Sequence, residues 1–190
     1  MTVLFVNACV RENSRTKILA NYLLTKIGEN IEEINLNNEK PLPFDRELLN
    51  KRDALLKKGD LNNEIFSYAL RFANADQIVI AAPMWDFSFP SLLKSFIEHI
   101  SVSGIAFKYT DNGIKGLCKA KRLYYVTTMG GYNPTDFGFG YVKALCQTLY
   151  GIDDVRLIKA EGLDIIGNNV TTILKKAKAQ IDELRLSSQK

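Results

Sequence analysis

Apolar residues fall along this chain in short runs that alternate with longer stripes at helical spacing. The first run covers residues 3–7 and stops at Ala8-Cys9. Ile18, Leu19, Tyr22, Leu23 and Ile27 then recur at the period of a helix with one buried face, predicted over 14–27. Residues 31–36 alternate apolar and polar, the pattern of an exposed edge strand. The charged segment 37–61, which holds Pro41 and Pro43, reads as a long excursion with a helical turn in it. A helix follows over 62–74, with Ile65, Phe66, Ala69, Leu70 and Ala73 on its stripe, and then an uninterrupted apolar strand over 77–82.

Pro90 suits the first turn of a further helix, because its missing N–H costs nothing there. Leu92, Leu93, Phe96, Ile97 and Ile100 mark the buried side of that helix. Residues 104–109 and 113–116, joined through Asp111-Asn112-Gly113, read as a small hairpin. The pattern ends with a strand over 122–128, a helix over 137–150, a strand over 155–160 and a helix over 169–186. Five strands separated by helices require right-handed crossovers and a parallel sheet covered on both faces. The fold class is therefore α/β, doubly wound, and a flavodoxin-like order 2-1-3-4-5 fits the number of units. One domain over 1–190 is expected, since no repeat, low-complexity stretch or linker interrupts the pattern. In such folds ligands lie beyond the carboxyl ends of the strands, near the switch point between the first and third.

Composition narrows the function classes. The chain has 190 residues, of which 46% are hydrophobic and 24% charged, an ordinary globular balance. Its net charge of +4 comes without a block of five like charges, so no nucleic-acid face is expected. The cluster Lys175-Lys176-Ala177-Lys178 reads as the solvated side of the last helix. No run is long and apolar enough for a transmembrane helix, and no membrane partner is expected. Cys9, Cys118 and Cys146 show neither C-x-x-C nor metal-ligand spacing, which fits a reducing compartment. The first strand begins with no basic leader before it, and the expected location is cytoplasmic.

Three loops at the switch point carry candidate chemistry. In the first, Asn7 to Thr16, the hydroxyls of Ser14 and Thr16 sit where a helix begins, with Arg11 and Arg15 nearby. Free N–H groups, a positive dipole end and two guanidinium forks make an anion cradle. A simple N-cap would explain Ser14 but not two arginines around it. The loop matches neither the P-loop nor the G-x-G-x-x-G pattern. The second loop, Pro83-Met84-Trp85-Asp86-Phe87-Ser88-Phe89, puts aromatics beyond a central strand, where they suit a flat apolar ligand. Phe89 reads instead as core. In the third, Thr127-Thr128-Met129-Gly130-Gly131-Tyr132-Asn133-Pro134, the Gly-Gly pair permits close backbone approach and Tyr132 supplies a ring and a hydroxyl. Together these describe a site for a phosphorylated flat heterocycle, and FMN fits it. His99, on the helix after the second loop, reads as a packed or capping histidine.

The run A-P-M-W-D-F-S-F-P-S-L-L-K, the hairpin G-I-A-F-K-Y-T with Asn112-Gly113 and Gly116-Leu117, and the late T-M-G-G resemble the FMN-dependent NADH:quinone oxidoreductases and azoreductases. The match runs in order over nearly the whole chain. It implies a flavodoxin-like homodimer with one FMN per subunit and active sites at the interface. By position, Arg11, Ser14, Arg15 and Thr16 would hold the phosphate. Pro83, Met84, Trp85, Asp86 and Phe87 would line the ribityl chain and ring, with Thr128, Met129, Gly130, Gly131 and Tyr132 at the ring's other edge. The implied reaction is ping-pong, from NADH or NADPH through flavin N5 to quinone, azo or nitroaromatic acceptors. Tyr132 is the one candidate catalytic side chain, donating to or orienting the acceptor. Cys9, Asp86, Met129 and Tyr132 stand where better-known members often carry serine, asparagine, a polar or basic residue, and histidine; this bears on the acceptor more than on the cofactor. The segment 37–61 is a candidate cover for the partner subunit's site.

A flavodoxin-type electron carrier is the alternative; the extra hairpin and basic balance argue against it. A receiver-like signalling domain would need carboxylates after the first and third strands, where Ala8-Cys9 and Pro83-Met84 stand. A scaffold that has lost its cofactor is the third.

Overall fold

A computed structural model describes residues 1–28, 30–132, 134, 135 and 137–184. Asn133 of the third loop, and the expected end of the last helix at 185–186, lie outside the described residues.

Five parallel strands form the central sheet: β1 (Thr2–Asn7), β2 (Asn30–Asn35), β3 (Gln77–Ala81), β6 (Arg122–Thr128) and β7 (Asp154–Ala160). Between β3 and β6 in the chain, β4 (Phe107–Thr110) and β5 (Gly113–Gly116) pair antiparallel as the separate hairpin. The sheet order thus reads β2-β1-β3-β6-β7 rather than 2-1-3-4-5, the numbers shifting because the hairpin strands intervene. Alternate side chains of each apolar strand enter different cores. Val3, Phe5, Val79, Ala81, Tyr124 and Val126 pack with α1 (Arg15–Ile27) and α7 (Val170–Glu183). Leu4, Val6, Ile78, Ile80, Leu123 and Tyr125 pack with α4 (Ser67–Asn74), α5 (Ser91–Ile100) and α6 (Phe139–Leu145). A continuous apolar run with no polar face is what a strand covered on both sides needs.

Several elements differ from their sequence expectation. The expected edge strand ends at Asn35, the short α2 (Leu36–Glu39) leads into the excursion 37–61, and the excursion contains a 13-residue helix, α3 (Arg46–Lys58). Asp45 caps α3 by accepting from Leu48 N at 2.8 Å, and Gly59 closes it in the left-handed region at φ 71°. No residue of α3 is buried, which is why its apolar stripe is too weak to stand out from its charge. The helix expected from residue 62 begins as a single 3₁₀ turn, Glu64–Phe66, before α4. The helix expected over 137–150 starts at Phe139 and widens to a π turn over Cys146–Tyr150. That turn packs on the hairpin: a Cβ on Gly116 would lie 2.2 Å from Gly151 N, so only glycine allows this approach. His99 is buried, as expected of a packed histidine; its Nε2 donates to Leu42 O at 2.8 Å and its ring lies 4.5 Å from that of Phe44. It thereby ties the segment ahead of α3 to α5. Among the described residues no helix is long and apolar enough to cross a membrane.

Candidate active site

The parallel register brings the carboxyl ends of four strands level, and backbone bonds continue the ladder into the loops. Ala8 N donates to Ala81 O at 2.9 Å, Met84 N to Thr128 O at 3.1 Å, and Met129 N to Ala160 O at 3.0 Å. The three expected loops are thus tied to the strands beside them at the switch point. They line a cavity of about 670 Å³, within the range of small-molecule and cofactor sites. Arg11, Ser14, Arg15, Thr16, Pro83, Met84, Trp85, Thr128, Met129 and Gly130 all contribute to it.

On the first loop, Ser14 is the N-cap of α1, its hydroxyl accepting from Lys17 N at 3.2 Å. Thr16 is buried and its hydroxyl meets that of Thr128 at 2.7 Å, clamping the first loop to the third. Arg15 reaches across the cleft, its Nη1 donating to Asp164 Oδ1 at 2.6 Å. Arg11 is exposed in the same lining. Beneath them Cys9 is buried, with its Sγ 3.7 Å from Ala81 O; burial pushes its thiol up from the ordinary value, which keeps it protonated near neutral pH.

The second loop is a tight turn. Trp85 N and O pair with Ser88 O and N at 3.2 and 2.8 Å, and the two residues between them have positive φ: 50° at Asp86 and 64° at Phe87. Turns with both central residues at positive φ usually carry Asn-Gly, and a bulky side chain there is strained. The turn presents Trp85 at 40% and Phe87 at 52% exposure. Met84 and Met129 also line an adjoining cavity of about 320 Å³, which holds Phe87, Tyr125, Thr127, Phe139 and the ion pair Lys159–Glu161 at 2.7 Å. Phe89 is half-buried and packs on the core beside Tyr141, as expected.

Asp86, Gly131 and Tyr132 are absent from the lining of both cavities. Tyr132 is 68% exposed, and its ring lies over Gly162, 3.3 Å from where a Cβ on that residue would stand. The structure adds a fourth loop that sequence reasoning missed: after β7, Leu163 and Asp164 join the cavity lining. Gly162-Leu163-Asp164 is zipped to the third loop by bonds from Gly162 N to Gly131 O, Leu163 N to Met129 O and Asp164 N to Gly130 O, at 2.9, 3.2 and 2.9 Å. The signal available in the sequence was a carboxylate just beyond the last strand; its partner lies 149 residues earlier.

A family model for the flavodoxin-like fold matches residues 1–184. This chain belongs to that family. Its relatives include an FMN-dependent NADH:quinone oxidoreductase of Clostridium perfringens, 33% identical over 189 residues, covering 91% of this chain and 92% of that protein. Another of the same description, from Coprothermobacter proteolyticus, is 32% identical over 195 residues and covers 96% of each. Among solved structures, an FMN-dependent NADH-azoreductase from Bacillus anthracis in complex with FMN superposes with a TM-score of 0.81. It is 24% identical and covers 96% of this chain and 97% of that one, a likeness that shows the shared fold.

Proposed function

We propose that this chain is an FMN-dependent oxidoreductase that passes hydride equivalents from NADH or NADPH to flat acceptors such as quinones, azo or nitroaromatic compounds. One observation carries the reading: a single cavity is lined by a helix N-terminus with two arginines, by an exposed tryptophan and by two methionines. That donor set fits FMN, whose phosphate needs charge-assisted donors and whose ring needs flat apolar contact. A chain a third identical over nine-tenths of its length to FMN-dependent NADH:quinone oxidoreductases supports it further.

In this reading Arg11, Arg15, Ser14 and the first N–H groups of α1 hold the phosphate. Thr16 and Thr128 keep the two loops at their spacing through their shared hydrogen bond. Pro83, Met84 and Trp85 would cover the ring and keep water from it, with Met129 and Gly130 lining its other edge. Flavin held there would supply the redox chemistry of a ping-pong exchange between NADH or NADPH and the acceptor. Phe87 and Asp86 form the rim the acceptor meets, and Tyr132 orients or donates to it. The chain acts as one domain in the cytoplasm and pairs with a second copy. Leu42, Leu49 and the groove of about 680 Å³ lined by Leu42, Phe44 and Leu48 offer that copy an apolar surface.

The visible spectrum of the purified protein, with and without added FMN and then with NADH or NADPH under anaerobic conditions, tests the proposal. The expected result is a bound flavin that either nucleotide bleaches. Bound flavin that neither nucleotide bleaches would point to an electron carrier, and no bound flavin would overturn the cofactor.

A further inference from the structure

The cleft that gathers Arg11 and Arg15 also contains two carboxylates, Glu12 and Asp164, and Asp164 is paired with Arg15. Asp164 Oδ1 accepts from Arg15 Nη1 at 2.6 Å across the mouth of the cavity. Its backbone is not free to drift, because the fourth loop is bonded to the third at Gly162, Leu163 and Asp164. Gly130 makes room for the side chain: a Cβ there would stand 2.5 Å from Asp164 Oδ2 and 3.2 Å from Asp164 Cβ. A fixed backbone with a rotatable carboxylate holds Asp164 next to Arg15 without locking it there. Both partners are open to water, with Arg15 40% and Asp164 69% exposed along the side chain, so the pair is weak and easily exchanged.

Resting on the reading of the cavity as a phosphate-bearing cofactor site, we infer that Asp164 is a specificity residue that occupies Arg15 until a phosphate group displaces it. A phosphomonoester presents three acceptor oxygens and nearly two negative charges, and so outcompetes a single carboxylate for a guanidinium fork. Displacement swings Asp164 off Arg15 but leaves it near the incoming charge. The residue therefore weakens phosphate binding twice, by competition and by repulsion, and does nothing to a ligand that lacks the phosphate. Its effect is to lower retention of the phosphorylated form and to make a cationic cleft less receptive to small stray anions.

The test is flavin titration of the full chain, followed by quenching of flavin fluorescence, with FMN and with riboflavin as the phosphate-free control. Asp164→Asn is expected to bind FMN about two- to ten-fold more tightly than the wild type, with riboflavin affinity unchanged. The FMN gain is expected to shrink when Arg15 is already alanine, because the exchange then has no guanidinium to act on. Unchanged FMN affinity in Asp164→Asn, or an undiminished gain in the Arg15→Ala background, overturns the inference. Weaker binding of both flavins would also overturn it, showing that Asp164 accepts from the sugar-alcohol chain the two ligands share. Wild-type protein that binds neither flavin would overturn the cofactor reading itself, a result distinct from the other three.

Discussion

The two sides of the cleft are built differently. Around the first loop the polar groups are buried and matched: Thr16 with Thr128 at 2.7 Å, Ser14 with the first turn of α1. Around the second loop a four-residue turn holds Asp86 and Phe87 at positive φ and exposes two large rings. Backbone strain of this kind costs about 1–3 kcal/mol per residue and persists where the surroundings impose it. The scaffold of the anion side is thus formed in advance by hydrogen bonding, with Arg11 exposed and Arg15 partly exposed at its mouth, whereas the aromatic side gives up stability to keep its rings presented. Changes on the first side should lose binding or stability, and changes on the second should gain stability while losing function.

The largest expected effect is on the anion side. Replacing Arg11 and Arg15 together by alanine should weaken FMN binding about a hundredfold or more, since each charge-assisted contact is worth about 1.5–3 kcal/mol. Isothermal titration reads this directly, and unchanged affinity would remove the cradle from the account. Next comes Thr128→Val, which keeps the shape but leaves the buried Thr16 hydroxyl without its partner. A loss of about 1–3 kcal/mol is expected, seen by calorimetry as a fall of about 2–4 °C per kcal/mol for a chain of this size. Ser14→Ala should cost about 1 kcal/mol through the lost cap, measured as a lower urea midpoint. The smallest effect has the opposite sign. Phe87→Gly relieves the strained φ of 64° and should raise the urea midpoint by the equivalent of about 0.5–1 kcal/mol, while slowing acceptor reduction. A stability loss in Phe87→Gly matching that of Ser14→Ala would break the contrast between the two sides.

The difference between legible and illegible elements follows the same physics. β1, β3 and β6 were readable because strands covered on both faces must be apolar throughout, and α5 because its stripe is buried at Leu93, Phe96, Ile97 and Ile100 and partly at Leu92. α3 was hidden because none of its residues is fully buried, Leu55 and Leu56 only partly packing on the core, and charge dominates its sequence; its clearer signals were the cap Asp45 and the closing Gly59. The Trp85–Ser88 turn was readable as an aromatic loop but not as a tight turn, since Asp86 suits the first central position but turn rules look for glycine at the second, where Phe87 stands. Tyr132, readable as a ring and hydroxyl on the third loop, lies with its ring over Gly162 of the fourth loop and outside the lining of both cavities, a placement that depends on a loop beyond β7.

The residues themselves determined the doubly wound sheet, the three loops at its switch point and the kind of ligand they suit. Burial patterns, caps and local charge are short-range properties that a chain displays in order. Only the tertiary structure decided that Thr16 meets Thr128, that Phe87 is strained, and that Asp164 closes on Arg15. Those contacts span up to 149 residues and exist because four strand ends finish level, a consequence of register that no local run of sequence records.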